Sequence, residues 1–577
     1  MFSCLSLITG PEMDFMQRIP ALVWCLLSSL LLWLSFFPVN AGWLGWVALV
    51  PLVFVLERYV KEERGTRWWD RPLLSAWLGG LVFCLVAFRW ISLASTPMYA
   101  VYFVVALVIS LQWFFFFQFT KVLQSTLKLP LFLSAAISWT ALEYIRAEIW
   151  IGYAWYYLGH TQHEEVYFTQ AADLVGVYGL SFIMVMVNVA LARLIQERSL
   201  KVVSYELVPA VVFVGVACWY GSTVISADTQ ELNRPQSPRI AILQGSQEQD
   251  LRNDPNMWRK IDETYDRLGT IAARFNPELI IAPETCISVT WIRLPNEQLP
   301  IWAVTKYPKM HLPEMVNYHR QWADLVPARW NTDLLFGFNT YDIRGEELKH
   351  TNSALLINKD GRLLDAFDKI VCLPFGEYIP WADTLPFMKL LSPYPYEYTV
   401  QPGTDVHALR WKNYRLAALI CYEDTVPGLA RSFVLQENPS FFVNISNDGW
   451  FKGSEEHEQH LVCARFRCIE NRRSMVRSVN MGISCIIDAL GRVVALPATE
   501  PLKGNPGVFV GNAPGSTWHE VKGKEGLLVG TVPLYTQISL YTRLGDVLPW
   551  ICWGMMTLAW ALSFFSKKSI AKPPVPA

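Results

Sequence analysis

Up to about residue 225 the chain alternates long apolar runs with short polar interruptions; beyond it the apolar runs shorten and are separated by polar, turn-rich stretches. The first pattern predicts membrane-spanning helices, because a helix needs about 20 largely apolar residues to cross a bilayer. Ile19–Phe37 carries no charge and gives roughly 28 Å of helix. Trp43–Leu56, Leu73–Ala94, Met98–Phe119, Leu129–Leu142, Leu174–Ile195 and Val208–Tyr220 repeat the pattern, and Trp550–Phe565 repeats it near the C-terminus. The expectation is a bundle of about eight spans, of which the second, fifth and seventh are short. The first run leads into this multi-span pattern, so it reads as a span and not as a removable signal.

The second pattern predicts a layered α/β domain. Strand-like runs are Arg239–Leu243, Leu279–Ala282, Leu334–Phe338, Ala354–Ile357, Leu416–Ile420, Phe441–Ile445 and Ile483–Ile487. Between the first two, Trp258, Ile261, Tyr265, Leu268 and Ile271 recur at helical spacing. Helices between short buried strands imply packed α and β layers. Asp228–Pro238, with Asn, Pro, Gln and Ser, reads as a hinge. The predicted division is a transmembrane bundle over residues 1–227, an extramembrane domain over 237–545, and a last helix with its tail over 549–577.

Charge orients this arrangement. Arg58, Lys61, Arg64, Arg67 and Arg71 follow the second span, Lys121 and Lys128 the fourth, and Arg193, Arg198 and Lys201 the sixth; Lys567, Lys568 and Lys572 lie in the tail. The alternate loops offer little beyond Arg146. The positive-inside rule then predicts cytoplasmic termini and an outer domain over Ser222–Leu548, periplasmic if the membrane is the inner one of a Gram-negative cell. Composition agrees: 52% hydrophobic against 17% charged residues, with 25 Trp and 31 Phe, is more apolar than a typical soluble chain. A net charge of −1 gives no sign of a nucleic-acid partner. The eleven cysteines include no CxxC pair, which argues against a zinc ribbon, and leave disulfide pairing open.

Three segments place a reactive group at the end of an apolar run. Leu416–Ile420 leads to Cys421, followed by Tyr422 and Glu423. Leu279–Pro283 leads to Glu284, and Phe367-Asp368 to Lys369. A thiol needs a base and an electropositive setting to act as a nucleophile. A carboxylate desolvated beside strands is a candidate base, and a fixed ammonium can neutralise a tetrahedral intermediate. Each residue alone also has an ordinary reading: Cys421 as a buried structural thiol, Glu284 as a solvent-facing carboxylate, Lys369 as a solvated surface lysine. Glu377, in Leu373-Pro374-Phe375-Gly376-Glu377-Tyr378, is either a second carboxylate bonded to these groups or the cap of a turn. His457 and His460 form HxxH with no third ligand evident, so they are read as local hydrogen-bonding groups, with no metal and no cofactor expected.

The order Glu284, Lys369, Cys421, with the phrases Pro283-Glu284-Thr285, Phe367-Asp368-Lys369 and Cys421-Tyr422-Glu423-Asp424, resembles the carbon–nitrogen hydrolase (nitrilase) superfamily. Asn444–Phe451 and the later His460, Arg465, Glu470 and Asn471 extend the match. The multi-span bundle and Gly152-Tyr153-Ala154-Trp155 narrow the resemblance to the membrane branch, the apolipoprotein N-acyltransferases. It implies an αββα sandwich for the outer domain, Glu284 as general base, Lys369 as intermediate stabiliser and Cys421 as nucleophile, with Glu377, Tyr422 and Glu423 supporting. The chain departs from the family pattern at Ile370-Val371-Cys372-Leu373, where members often carry a His. The stretch Val289–Leu312, with Trp291 and Trp302, is a candidate substrate-gating arm.

The resemblance further implies a two-step transfer through a Cys thioester. The donor would be a membrane phospholipid, with phosphatidylethanolamine expected. The acceptor would be the N-terminal amine of diacylglyceryl-cysteine on apolipoproteins, in the final step of lipoprotein maturation. Two alternatives remain at this point: a tethered amidase or nitrilase that passes the acyl group to water, and a non-catalytic scaffold or transporter, for which Arg89 and Glu143 within apolar runs are the candidate markers.

Overall fold

The computed structural model describes residues 18–63, 67–148, 152–230, 237–249, 255–345, 347–392, 399–495, 501–502, 505–511 and 522–569. Arg64, the middle of the expected hinge and Lys572 fall outside them. The chain divides by packing into two compact units. One comprises residues up to Arg89, Tyr102–Thr223 and the segment from Asp546 on; the other comprises Trp90–Val101 and Val224–Gly545.

Each expected span contributes a helix: α1 Ala21–Leu34, α2 Val50–Val60, α3 Pro72–Ala87, α4 Met98–Leu127, α5 Leu131–Glu148, α6 Ala172–Glu197, α7 Val208–Gln230 and, late in the chain, Val547–Ser569. Among the described residues, five stretches are long and apolar enough to cross a membrane, with α1 and α3 shorter. The expected second span is a 3-10 turn, Gly42–Trp46, followed by α2. The expected seventh span falls short of the helix, because polar residues after Tyr220 mask the continuation of α7 to Gln230. That continuation also takes Asp228 out of the hinge and into the helix.

The two candidate transport residues have structural explanations. Arg89 begins a 3-10 turn beyond the end of α3. Glu143 is buried within α5, where Oε1 accepts from Trp139 Nε1 at 2.9 Å and from the Leu158 backbone N–H at 2.8 Å. It braces the loop after α5 against the helix that carries it.

The second unit holds two sheets. In the nine-stranded sheet, β1 (Arg239–Gln244) pairs in parallel with β2 (Leu279–Ile281), and β2 with β3 (Asp333–Asp342). Antiparallel β4 (Lys349–Ile357) and β5 (Leu363–Asp368) follow. In the six-stranded sheet, β6 (Tyr414–Ile420), β7 (Phe441–Asn447) and β8 (Met475–Asn480) run parallel. The last strand of the domain, β9 (Gly526–Thr531), returns to pair antiparallel with β1, from Arg239 opposite Thr531 to Gln244 opposite Gly526.

The sheets face one another across a continuous apolar core that includes Ile242, Ile281 and Leu356 from the first and Leu419, Val443 and Val476 from the second. Trp258–Ala273 and Leu312–Trp330 cover the outer face of the first sheet through Tyr265, Leu268 and Trp330. Pro427–Glu437 and Glu456–Asn471 cover the second through Phe433, Leu461 and Ala464. The order of layers is α, β, β, α, as the resemblance implied. Strands buried on both faces read as continuous apolar runs, which is why most were legible. β5, β8 and β9 lie outside the expected runs, and in β8 Arg477, Ser478 and Asn480 are fully buried.

Candidate active site

Glu284, Lys369, Glu377 and Cys421 line one cavity of about 650 Å³ in the second unit. Each reaches it from the end of a strand or from the turn beyond one. Glu284 lies just after β2. Its backbone sits close to β3 because Gly337 has no side chain: a Cβ there would lie 2.6 Å from Glu284 Cα and 2.8 Å from the Pro283 carbonyl oxygen. Lys369 follows β5, whose last residue, Asp368, is held by Arg293 Nη1 at 2.8 Å. Burial pushes the Asp368 carboxyl up, but Arg293 outweighs it and holds the group below the ordinary range.

Lys369 is 1% exposed and Glu284 6%, so neither is the solvated surface group of the ordinary reading. Lys369 Nζ donates to Glu377 Oε1 at 2.9 Å and to Glu284 Oε1 at 3.4 Å. Burial alone would depress the ammonium, but Glu377 and Glu284 outweigh it and hold its pKa well above the ordinary lysine value. It is therefore a permanent cation at working pH. Glu377 fills both of its suggested roles: it accepts from the ammonium, and its Oε2 accepts from the Leu373 backbone N–H at 2.7 Å to close the turn.

Asn352, on β4, was not singled out in the sequence. Its Nδ2 donates to Glu284 Oε1 at 2.6 Å and to Glu377 Oε1 at 3.1 Å, joining the two carboxylates. Lys369 N–H donates to its backbone carbonyl at 2.8 Å. It lies in the polar stretch Lys349–Ser353, ahead of the apolar run Ala354–Ile357, where nothing in the sequence marks it out from its neighbours. Both hydrogen bonds to Glu284 fall on Oε1, so among the described residues Oε2 has no protein donor and can receive a proton.

Cys421 is half-buried and has φ +53°. A non-glycine residue in this left-handed region costs about 1–3 kcal/mol and persists only where its surroundings fix it. The strand ends here and a 3-10 turn, Cys421–Thr425, begins. Burial first, then the Glu284 carboxylate, push the thiol well above its ordinary pKa, against the opposing effect of Lys369. The resting group is a neutral thiol, so a base would have to take its proton for the sulfur to act as a nucleophile.

Glu423 ties this turn to the lysine segment. Oε2 accepts from Ile420 N–H at 2.7 Å, and Oε1 accepts from Ile370 N–H at 2.6 Å and Val371 N–H at 2.9 Å. Burial pushes its carboxyl up to about 7 against the pull of these donors. The departure at Ile370–Leu373 is thus accommodated by backbone bonds, and Cys372 is buried with a thiol pushed up to about 12 by burial. Tyr422 is buried, and its carbonyl accepts from Thr425 Oγ1 at 2.8 Å. Trp291 is packed against His319 and Phe338 in the helix–sheet core and Trp302 is half-buried; from the expected arm, Thr290 and Met310 reach the cavity wall.

His460 is held by carboxylates: Nε2 lies 2.7 Å from Asp424 Oδ1 and Nδ1 3.2 Å from Asp448 Oδ1. Burial and Arg477 would depress its imidazolium, but Asp424 and Asp448 outweigh them and raise it to about 10. Asp448, Glu456 and His460 are close enough to hold a metal, but Arg477 already gives Asp448 a cation. His457 bonds locally, its Nε2 lying 3.0 Å from the Asp448 carbonyl oxygen. All ten cysteines among the described residues are free.

A four-layer domain with a carboxylate, an ammonium and a thiol on one cavity wall has the plan of a carbon–nitrogen hydrolase, and the model of that family, "Carbon-nitrogen hydrolase", matches residues 239–503. A second family model, "Apolipoprotein N-acyltransferase N-terminal domain", matches residues 28–190. The apolipoprotein N-acyltransferase of Geobacter metallireducens is 28% identical, with 97% of this chain and 98% of that one covered. That of Chlorobaculum tepidum is 29% identical, over 92% of this chain and 94% of that one. Among solved structures, an amidase from Nesterenkonia sp. is similar at 15% identity over 56% of this chain and 98% of that one, with a TM-score of 0.34. The chain belongs to the apolipoprotein N-acyltransferase family: it is a membrane protein and an N-acyltransferase built on a carbon–nitrogen hydrolase domain.

Proposed function

We propose that the protein transfers an acyl chain from a membrane phospholipid, through a thioester on Cys421, to the N-terminal amine of diacylglyceryl-cysteine on apolipoproteins. The observation that carries this reading is the convergence of Glu284, Lys369 and Cys421 on one cavity.

In the first step Glu284 takes the Cys421 proton as the sulfur attacks the ester carbonyl. The proton transfer moves negative charge from carboxylate to sulfur and creates none, so the cost of a buried thiolate is limited. Lys369 neutralises the oxyanion of the tetrahedral intermediate. The carbon–oxygen bond breaks, the lysophospholipid oxygen takes the proton from Glu284, and the thioester remains. In the second step the neutral amine attacks, Glu284 takes its proton, the carbon–sulfur bond breaks, and the proton returns to Cys421. Two moderate barriers replace one high one, with ping-pong kinetics as the signature.

Phosphatidylethanolamine is the proposed donor, and a diacylated lipoprotein the acceptor. Loop charges support cytoplasmic termini and a periplasmic catalytic domain in the inner membrane. The test is incubation of the purified protein with labelled phosphatidylethanolamine, followed by mass spectrometry of the Cys421 peptide. Acyl-Cys421 that disappears on adding a diacylated lipopeptide, with the label recovered on the amine, is expected. Undiminished labelling or turnover in Cys421→Ala would remove Cys421 as the nucleophile, and recovery of the label as free fatty acid in the presence of lipopeptide would make water the acceptor.

A further inference from the structure

The left-handed backbone at Cys421 needs something to hold it, and the six-stranded sheet supplies a candidate. In the ladder, Leu419 on β6 lies opposite Asn444 on β7, and Asn444 opposite Arg477 on β8. Asn444 Nδ2 donates to the Leu419 carbonyl at 3.0 Å and to the Cys421 carbonyl at 3.3 Å. One amide thus bridges the two carbonyls that flank the end of the strand.

An amide can do this only if its oxygen faces the other way. Arg477 Nη1 donates to Asn444 Oδ1 at 3.0 Å, which fixes that choice. The same Nη1 lies 2.5 Å from Asp424 Oδ2, on the turn that Cys421 opens, and Nη2 lies 3.2 Å from Asp448 Oδ2. His460 holds the other oxygen of Asp424. Asn444 and Arg477 are wholly buried, and neither is on the cavity wall.

We propose that Arg477 and Asn444 are positioning residues for the nucleophile: the guanidinium orients the Asn444 amide and anchors Asp424, and together they hold Cys421 in the backbone conformation from which its sulfur reacts. The guanidinium fork suits this task, since it engages an amide oxygen and two carboxylates in a fixed geometry, which a lysine ammonium does not. The inference rests on the reading of Cys421 as the nucleophile in the acyl transfer proposed above.

The test uses the full-length protein in detergent with two variants of Asn444 and one of Arg477. Asn444→Asp keeps the shape but loses the donor; Asn444→Ala removes the donor without adding a charge. Alkylation of Cys421 by iodoacetamide is followed across pH, alongside the rate of Cys421 acylation by phosphatidylethanolamine. A displacement of about 1 Å at a reacting centre lowers a rate by about 100-fold. Alkylation and acylation are expected to fall together by about that factor, with the KM for phospholipid within about threefold of wild type. Arg477→Lys is expected to give an intermediate loss. A folded variant of Asn444 that alkylates and acylates at the wild-type rate overturns the proposal. So does a change in KM alone, or failure of both Asn444 variants to fold, which would make the network merely structural. If wild type alkylates normally and both variants slowly while no acyl-Cys421 forms, the proposed function fails and the positioning role stands.

Discussion

The second unit contains two buried ionic groups of similar composition and different use. In each, one cation sits between two carboxylates: Lys369 between Glu284 and Glu377, and Arg477 between Asp424 and Asp448. The first lines the cavity, and its additional donor is the neutral amide of Asn352. The second lies behind the strand that ends at Cys421, and its additional donor is the imidazole of His460. A single ammonium leaves Glu284 Oε2 without a protein donor among the described residues, so that carboxylate can exchange a proton. The guanidinium and imidazole satisfy Asp424 and Asp448 so fully that neither is free to do so. The chemistry of a buried carboxylate follows from how many of its lone pairs are occupied as much as from burial.

The largest effect should come from removing proton exchange in the first group. Glu284→Gln keeps shape and hydrogen bonding, so acylation of Cys421 is expected to fall by about 10³-fold while the melting temperature stays near wild type. An unaltered single-turnover rate would show that another group takes the proton.

A matched pair of substitutions then separates the two groups. Arg477→Met leaves two fully buried carboxylates without their cation and is expected to cost about 3–5 kcal/mol of stability. Lys369→Met should cost less, because its carboxylates border a cavity that water can enter, but should abolish acylation. Equal losses of stability in denaturation experiments would erase the distinction.

The third difference is in pH response. His460 has its pKa raised from 6.5 to about 10 in the folded state. Its contribution to stability is therefore complete below about pH 6.5 and lost as pH rises toward 10. The melting temperature should fall across that window, and His460→Gln should flatten the fall. A slope unchanged in His460→Gln would assign the titration to other groups.

The smallest effect is expected at Gly337. In Gly337→Ala the new Cβ presses on the backbone of Pro283 and Glu284, and strand or loop must shift. A stability loss of about 1–3 kcal/mol is expected, with slower acylation and little change in iodoacetamide reactivity of Cys421. A selective loss of alkylation would place the disturbance on the nucleophile side instead.

These contrasts also mark what was legible in the sequence. Helices α1 to α7 and most strands announced themselves, because a segment buried in lipid or between layers must be apolar along its length. Cys421, Glu284 and Lys369 stood out where such runs ended in reactive groups. Asn352 and Arg477 did not, because each sits inside a strand and its polarity is satisfied by residues distant in the chain. The strand β8 was missed for the same reason: Arg477, Ser478 and Asn480 look like surface residues until the partners that bury them are known. Ser478 Oγ, for example, donates to the Leu243 carbonyl of the facing sheet at 3.0 Å. Trp291 erred in the other direction, since a bulky aromatic in a variable arm is as well suited to a core as to a gate.

The pairing of β1 with β9 has a mechanical side. The first residue of one strand lies opposite the last residue of the other, and Val532 N–H continues the seam to the Pro238 carbonyl at 3.2 Å. The start of β1 and the end of β9 therefore lie about one strand spacing apart, roughly 4.8 Å. Tension applied through both flanking segments would unzip this seam rung by rung, where strands pulled from opposite ends would have to shear every rung together. The same proximity means that a few added residues would join the start of β1 to the end of β9 and recast the pair as a hairpin.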